Sequence, residues 1–142
     1  MMKSELIIEM EDLLLEKIER QNRCLSLYKT LDDSVRADLC SAIFRSIDEE
    51  VILIGHIDLV FVSKLEKFKS RHNVSDLSEL KREALDEFAM VKKAVNRILE
   101  SDEKLNIYFD STYLLRVKAK KDAQDQVKKL RMTSAYRNIN KI

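Results

Sequence analysis

Proline and tryptophan are absent from this sequence, and glycine occurs once, at Gly55. Helix-interrupting residues are therefore almost missing, while Leu, Ile, Glu, Lys and Arg dominate, which predicts long helices and few turns. A single glycine also excludes a phosphate-cradling loop of the P-loop or dinucleotide-binding kind. The two cysteines, Cys24 and Cys40, have no CxxC spacing and no nearby histidine pair. That argues against a disulfide framework or zinc site and for two buried thiols in a reducing cytosol. The two histidines, His56 and His72, fall in no HExxH, ExxH or HxxE pattern, so no metal centre is expected. His56, set in an apolar stretch, reads as a buried, hydrogen-bonded histidine. No serine has a base at a recognisable spacing. The chain is thus expected to be no enzyme and to need no metal or cofactor. The N-terminal MMKSELIIEMEDLLLEK is too acidic, and its apolar run too short, for a signal peptide. The longest apolar stretch, Val51 to Val62, is interrupted by His56 and Asp58 and falls short of the roughly 20 residues that span a bilayer. A cytoplasmic protein without stable membrane insertion is expected.

What is present points to one domain. A chain of 142 residues can bury a core. Its 45% hydrophobic and 36% charged residues suit apolar stripes alternating with charged faces. The net charge of +1 conceals an asymmetry. Residues 1–113 carry 17 Lys/Arg against 23 Asp/Glu, a net −6, whereas residues 114–142 carry nine against two, a net +7. An acidic body with a basic tail suggests separate roles for the two.

From Ser4, a suitable N-cap, the residues Leu6, Met10, Leu13, Leu14, Ile18, Leu25 and Tyr28 recur at threes and fours, which predicts a first helix reaching about Leu31. A second segment, about Val35 to His72, keeps the helical period through Ile47, Val51, Ile54, Asp58, Phe61 and Leu65. Its centre, VILIGHIDLVFV, is rich in β-branched residues, so two strands turning at Gly55-His56 are the alternative. Read as a helix apolar on most sides, it becomes the central helix of a bundle, with Asp58 a possible polar register-setter. Gly55 leaves a bend, a close helix contact or a merely destabilising residue open. Asn73 suits a helix C-cap, and Asp76 with Glu79 resembles a capping box. Leu77, Ala84, Val91, Ile98 and Leu105 then recur every seven residues, a helical seam. That seam either packs within the chain or joins two copies, so a homodimer or a self-associating coiled coil is the alternative organisation. Run to Met132, this third helix would be about 85 Å long. It must bend near Ser101-Asp102 or Asp110-Ser111-Thr112, or project from the body.

Beyond residue 113 the apolar series thins to Leu115, Ala119, Ala123, Val127 and Leu130 among Lys and Gln. Such a segment is marginally helical alone and gains by docking on a partner. Nucleic-acid binding is disfavoured, because the tail lacks interleaved aromatics and the acidic body repels a polyanion. The fold expected is all-α: an antiparallel three-helix bundle over residues 1–113, its long third helix continuing into a basic amphipathic extension over 114–142.

In this layout the chain resembles the FlgN-type flagellar export chaperones, with the related FliT-type as second choice. EDLLLEKIERQNRCLSLYKTLDD is similar to that family's first helix, and RSIDEEVILIGHIDLVFVSKLEKFKSRHNVSDLSEL to its second helix and the turn into the third. SDEKLNIYFDSTYLL falls where the family tends to be Asn-rich, and SAYRNI where it tends to place a C-terminal tyrosine. The resemblance implies a small cytoplasmic chaperone that binds C-terminal helical segments of hook–filament junction or cap proteins and presents them to the export gate. It implies a client-binding surface of Leu114, Leu115, Val117, Ala119, Ala123, Val127 and Leu130, and an exposed Tyr136 that contacts the gate.

Overall fold

The computed structural model describes residues 4–32, 37–119 and 134–142. These form three long helices, α1 (Glu5–Asp32), α2 (Ala37–Arg71) and α3 (Arg82–Ser111), and two short ones, α4 (Tyr113–Ala119) and α5 (Ser134–Asn140). The described residues include no strand, and none of their helices is long and apolar enough to cross a membrane.

The helix ends follow local chemistry. Ser4 Oγ accepts the Ile7 N–H at 3.4 Å, satisfying one of the orphan donors at the start of α1. Asn73 closes α2 with φ +53°, the left-handed conformation that asparagine tolerates. Asp76 does cap, accepting the Ser78 N–H at 2.9 Å, but what it caps is a single 3₁₀ turn, Leu77–Glu79. Glu79 reaches back to the Ser75 N–H at 3.3 Å. Leu77 and Leu80 are both buried in this turn, and α3 starts after it, five residues later than a cap at Asp76 suggests.

The β-branched centre of α2 is helical throughout. Val51, Ile54, Ile57, Asp58 and Phe61 face inward, while Ile52, Leu53, Leu59 and Val60 stay exposed around an exposed His56. Two expectations are corrected here: His56 is a surface residue, and α2 is not the central helix. α1 occupies that place and packs along both α2 and α3, because its inward stripe is wide enough to serve two neighbours. Glu9 pairs with Lys64, Lys17 with Asp58 and Arg20 with Glu50, so numbers fall along α2 as they rise along α1. Between α1 and α3 they rise together, Ser4 meeting Glu87 and Gln21 meeting Asp102.

Leu77, Ala84, Val91, Ile98 and Leu105 are all buried, together with Phe88, Val95 and Phe109. The seven-residue seam is thus buried inside one chain. The core divides into two apolar clusters. One holds Met10, Leu14, Phe61, Phe68, Phe88 and Val91. The other holds Cys24, Tyr28, Phe44, Ile47, Ile54 and Phe109. Burial pushes the Cys24 thiol up to about 12, consistent with an inert structural cysteine.

The third helix is interrupted at the second of the two expected places. Thr112 Oγ1 donates back to the Tyr108 carbonyl at 2.7 Å, an arrangement that bends helices, and α4 starts immediately after. The expected projection is corrected wherever the tail is described. α4 lies against α2 and α3, and α5 returns to the body with Tyr136 and Ile139 fully buried in the first cluster. Lys92 donates to the terminal Ile142 carbonyl.

Gly55 sits in the α2 interior with ordinary helical φ, and an added Cβ would meet nothing within 4 Å. It is not a close helix contact. Gly55→Ala should therefore raise the unfolding free energy by about 0.5–1 kcal/mol, visible as a higher urea midpoint at unchanged slope. A lower midpoint would mean that the glycine serves an approach this fold does not contain.

Candidate functional site

Each long helix has an inward seam at alternating threes and fours, and each seam carries a polar step. On α1 the run Met10, Leu14, Lys17, Gln21, Cys24, Tyr28 is broken by Lys17 and Gln21. On α2 the run Ile54, Asp58, Phe61 is broken by Asp58, and on α3 the run Ile98, Asp102, Leu105 by Asp102. The helix pairing brings these four to one level, between the two apolar clusters, and all four are buried. Lys17 Nζ donates to Asp58 Oδ1 at 2.6 Å. Gln21 Nε2 donates to Asp102 Oδ1 at 2.7 Å.

Tyr136 closes this layer from the C-terminal side. Its hydroxyl donates to the same Asp58 Oδ1 at 2.6 Å. Its ring stacks on Phe61 at 5.3 Å and lies 4.2 Å from Lys17 Nζ, a desolvated cation–π contact. Burial, followed by the charge of Asp58, pushes the phenol well above its ordinary value, so it remains a donor. The exposed tyrosine expected at this position is thereby corrected. A phenol can satisfy Asp58 and cover apolar surface at once, and this makes Tyr136 part of the core.

A second buried ion pair anchors α4. Arg116 Nη1 donates to Asp48 Oδ1 at 2.8 Å, and the guanidinium lies 4.4 Å from the Phe44 ring. Arg116 is fully buried, although its basic surroundings in the sequence suggest a solvated cation. It continues the α3 seam, seven residues after Phe109. Beside it, burial raises the Tyr28 phenol to about 12, against the opposing charge of Arg116.

Of the residues expected to bind a client, the structure brings three together at a surface. Leu114 is 76% and Leu115 39% exposed, and Val117 is half-buried. Ala119 ends α4, while Ala123, Val127 and Leu130 lie outside the described residues. Tyr113 and, in α3, Ile107 are further exposed apolar residues, and the outer face of α2 offers a second strip. The sequence reading missed that strip, although VILIGHIDLVFV holds more apolar residues than one stripe can use. It also missed the polar layer, whose signal was a polar residue at a seam position in each helix.

No protein-family model, curated protein or solved structure matches this chain. The arrangement must therefore be read from its own chemistry. It contains no cluster of three or more His, Cys, Asp or Glu able to hold a metal among the described residues. The buried polar groups bind each other across helices and hold the C-terminal elements on the body.

Proposed function

We propose that this chain is a non-enzymatic, cytoplasmic helical chaperone of the flagellar export class. Its body is an antiparallel three-helix bundle, and it covers the C-terminal helical segments of hook–filament junction or cap proteins until the export apparatus takes them. The observation that carries this reading is the mounting of α4. Arg116 clamps the helix to Asp48 from beneath, while Leu114 and Leu115 face solvent. A rigidly held, outward apolar edge suits an amphipathic helix, which needs a temporary partner for one face. Pre-ordering the edge also lowers the entropy lost on binding. A gate contact through Tyr136 requires its prior release from Asp58, so in the docked chain Tyr136 is assigned to the core.

Removing residues 114–142 would strip Arg116, Tyr136 and Ile139 from the core, so truncation cannot isolate the surface. Leu114→Asp can, because that side chain is mostly exposed. Titrated with C-terminal helical peptides from junction and cap proteins, the wild-type chain should bind. Leu114→Asp should weaken binding at least tenfold, about 1.4 kcal/mol, with its melting temperature unchanged. Equal binding by both proteins would exclude this edge, and no binding by either would exclude the class.

A further inference from the structure

Beside the polar layer an open cleft of about 790 Å3 runs between α3 and α5. Glu100, Glu103, Asn106, Arg137 and Asn140 line its walls, and Asp102 lies at its floor. Asp102 is 1% exposed. Its Oδ1 is engaged by Gln21, while its Oδ2 and the Gln21 Oε1 have no hydrogen-bond partner among the described residues. Buried acceptors are rarely left unpaired, because each then bears its desolvation cost without return. When Asp102 is ionised these two acceptors stand unpaired beneath carboxylate-bearing walls, which points to a donor supplied from outside and favours a cationic one.

We propose that this cleft receives a lysine side chain of a protein partner, its ammonium group docking on Asp102 Oδ2. The geometry selects lysine over arginine. Gln21 already holds one carboxylate oxygen, so the planar fork of a guanidinium finds no bidentate match, whereas a compact ammonium needs one strong acceptor and can direct its other donors to neighbouring oxygens. The walls select a peptide source. The Asn106 and Asn140 carboxamides each offer a donor and an acceptor, as a peptide backbone requires. The inference is independent of the export reading, since it names a chemical group and not a client.

The charge state of Asp102 gives the site a pH dependence. Lys17 and Gln21 face it from α1, Asp58 from α2, and Tyr136 and Arg137 from α5. Burial pushes Asp102 up to about 7, with Asp58 adding to the rise and Lys17 and the Gln21 bond opposing it. The carboxylate that receives an ammonium therefore prevails at pH 8 and is mostly protonated at pH 6. Affinity should fall about tenfold between those values.

The test follows the Asp102 carboxyl carbon by NMR in the full chain. n-Butylammonium chloride is titrated in, with tetramethylammonium chloride at equal ionic strength as the comparison. Butylammonium should shift the resonance saturably and lower its titration midpoint, while tetramethylammonium, which has no N–H donor, should do neither. The Asn106 side-chain amide should respond in the wild type and not in Asp102→Asn. Glu103→Gln, on the exposed rim, should weaken binding several-fold without moving the melt. The peptide Ac-Ala-Ala-Lys-Ala-Ala-NH2 should bind more tightly than butylammonium or spermidine. Equal responses to the two ammonium salts, or an unchanged Asn106 response in Asp102→Asn, would overturn the site. Tighter binding of spermidine than of the peptide would overturn the protein partner.

Discussion

Asp58→Ala is expected to cost about 3–5 kcal/mol of unfolding free energy, the largest effect of any single substitution considered for this protein. One oxygen of Asp58 accepts from both Lys17 and Tyr136 at 2.6 Å. Removing it strands an ammonium group whose side chain is 1% exposed, and it strands a buried phenol as well. The loss measures the cost of an uncompensated charge more than the strength of the pair. The same argument predicts that removing all three groups together is far less harmful. Lys17→Met, Asp58→Leu and Tyr136→Phe combined leave no member of this trio unpaired and keep the stack on Phe61. The triple variant should lose much less than Asp58→Ala, although it carries two more substitutions. Urea unfolding at pH 7 distinguishes the cases. A triple variant as unstable as the single one would show that the layer contributes net stability beyond mutual satisfaction.

Between pH 8 and pH 5 the protein should become more stable, against the ordinary acid response of proteins. Asp102 is responsible, since burial raises its pKa to about 7 in the fold from an ordinary 3.8. The folded chain therefore binds the proton more tightly than the unfolded chain over that interval. The contribution of Asp102 is fully present below about pH 4 and is lost as pH rises through 7. The expected gain from pH 8 to pH 5 is about 2–3 kcal/mol. The Glu9 pKa is held down by its hydrogen bond from Lys64, and that of Asp76 by the Ser78 backbone N–H. Stability linked to those groups is lost only at lower pH, outside this window. Asp102→Asn keeps an acceptor for Gln21 and removes the ionisation. It should flatten the profile and exceed the wild type at pH 8. A wild-type profile already flat, or falling toward pH 5, would show that the carboxylate is stabilised in a way this fold does not provide.

Much of the architecture was legible because a helix writes its burial into a local period. The stripe from Leu6 to Tyr28 and the seam from Leu77 to Leu105 each needed only neighbours within seven residues. Asn73 needed only its own backbone tolerance, and the break at Thr112 was among the places named. The candidate surface was partly legible for the same reason, since Leu114 and Leu115 are apolar residues at the point where the inward series thins.

The polar residues show the limit of that local reading. Asp58, Lys17, Gln21 and Asp102 are far apart in the chain, and nothing in their immediate surroundings says that they share a level. Arg116 and Tyr136 sit in basic sequence that looks the same whether their side chains face water or the core. Their burial depends on Asp48 and Asp58 in α2, 68 and 78 residues away.

The sequence by itself therefore determined the helices and their inward faces, because periodicity and composition act over a few turns. Tertiary structure alone decided that α1 is central, that a charged layer divides the core, and that the tail's tyrosine and arginine are buried. A charge enters a low-dielectric interior only where another helix delivers its partner, and that delivery belongs to the packing of the whole chain.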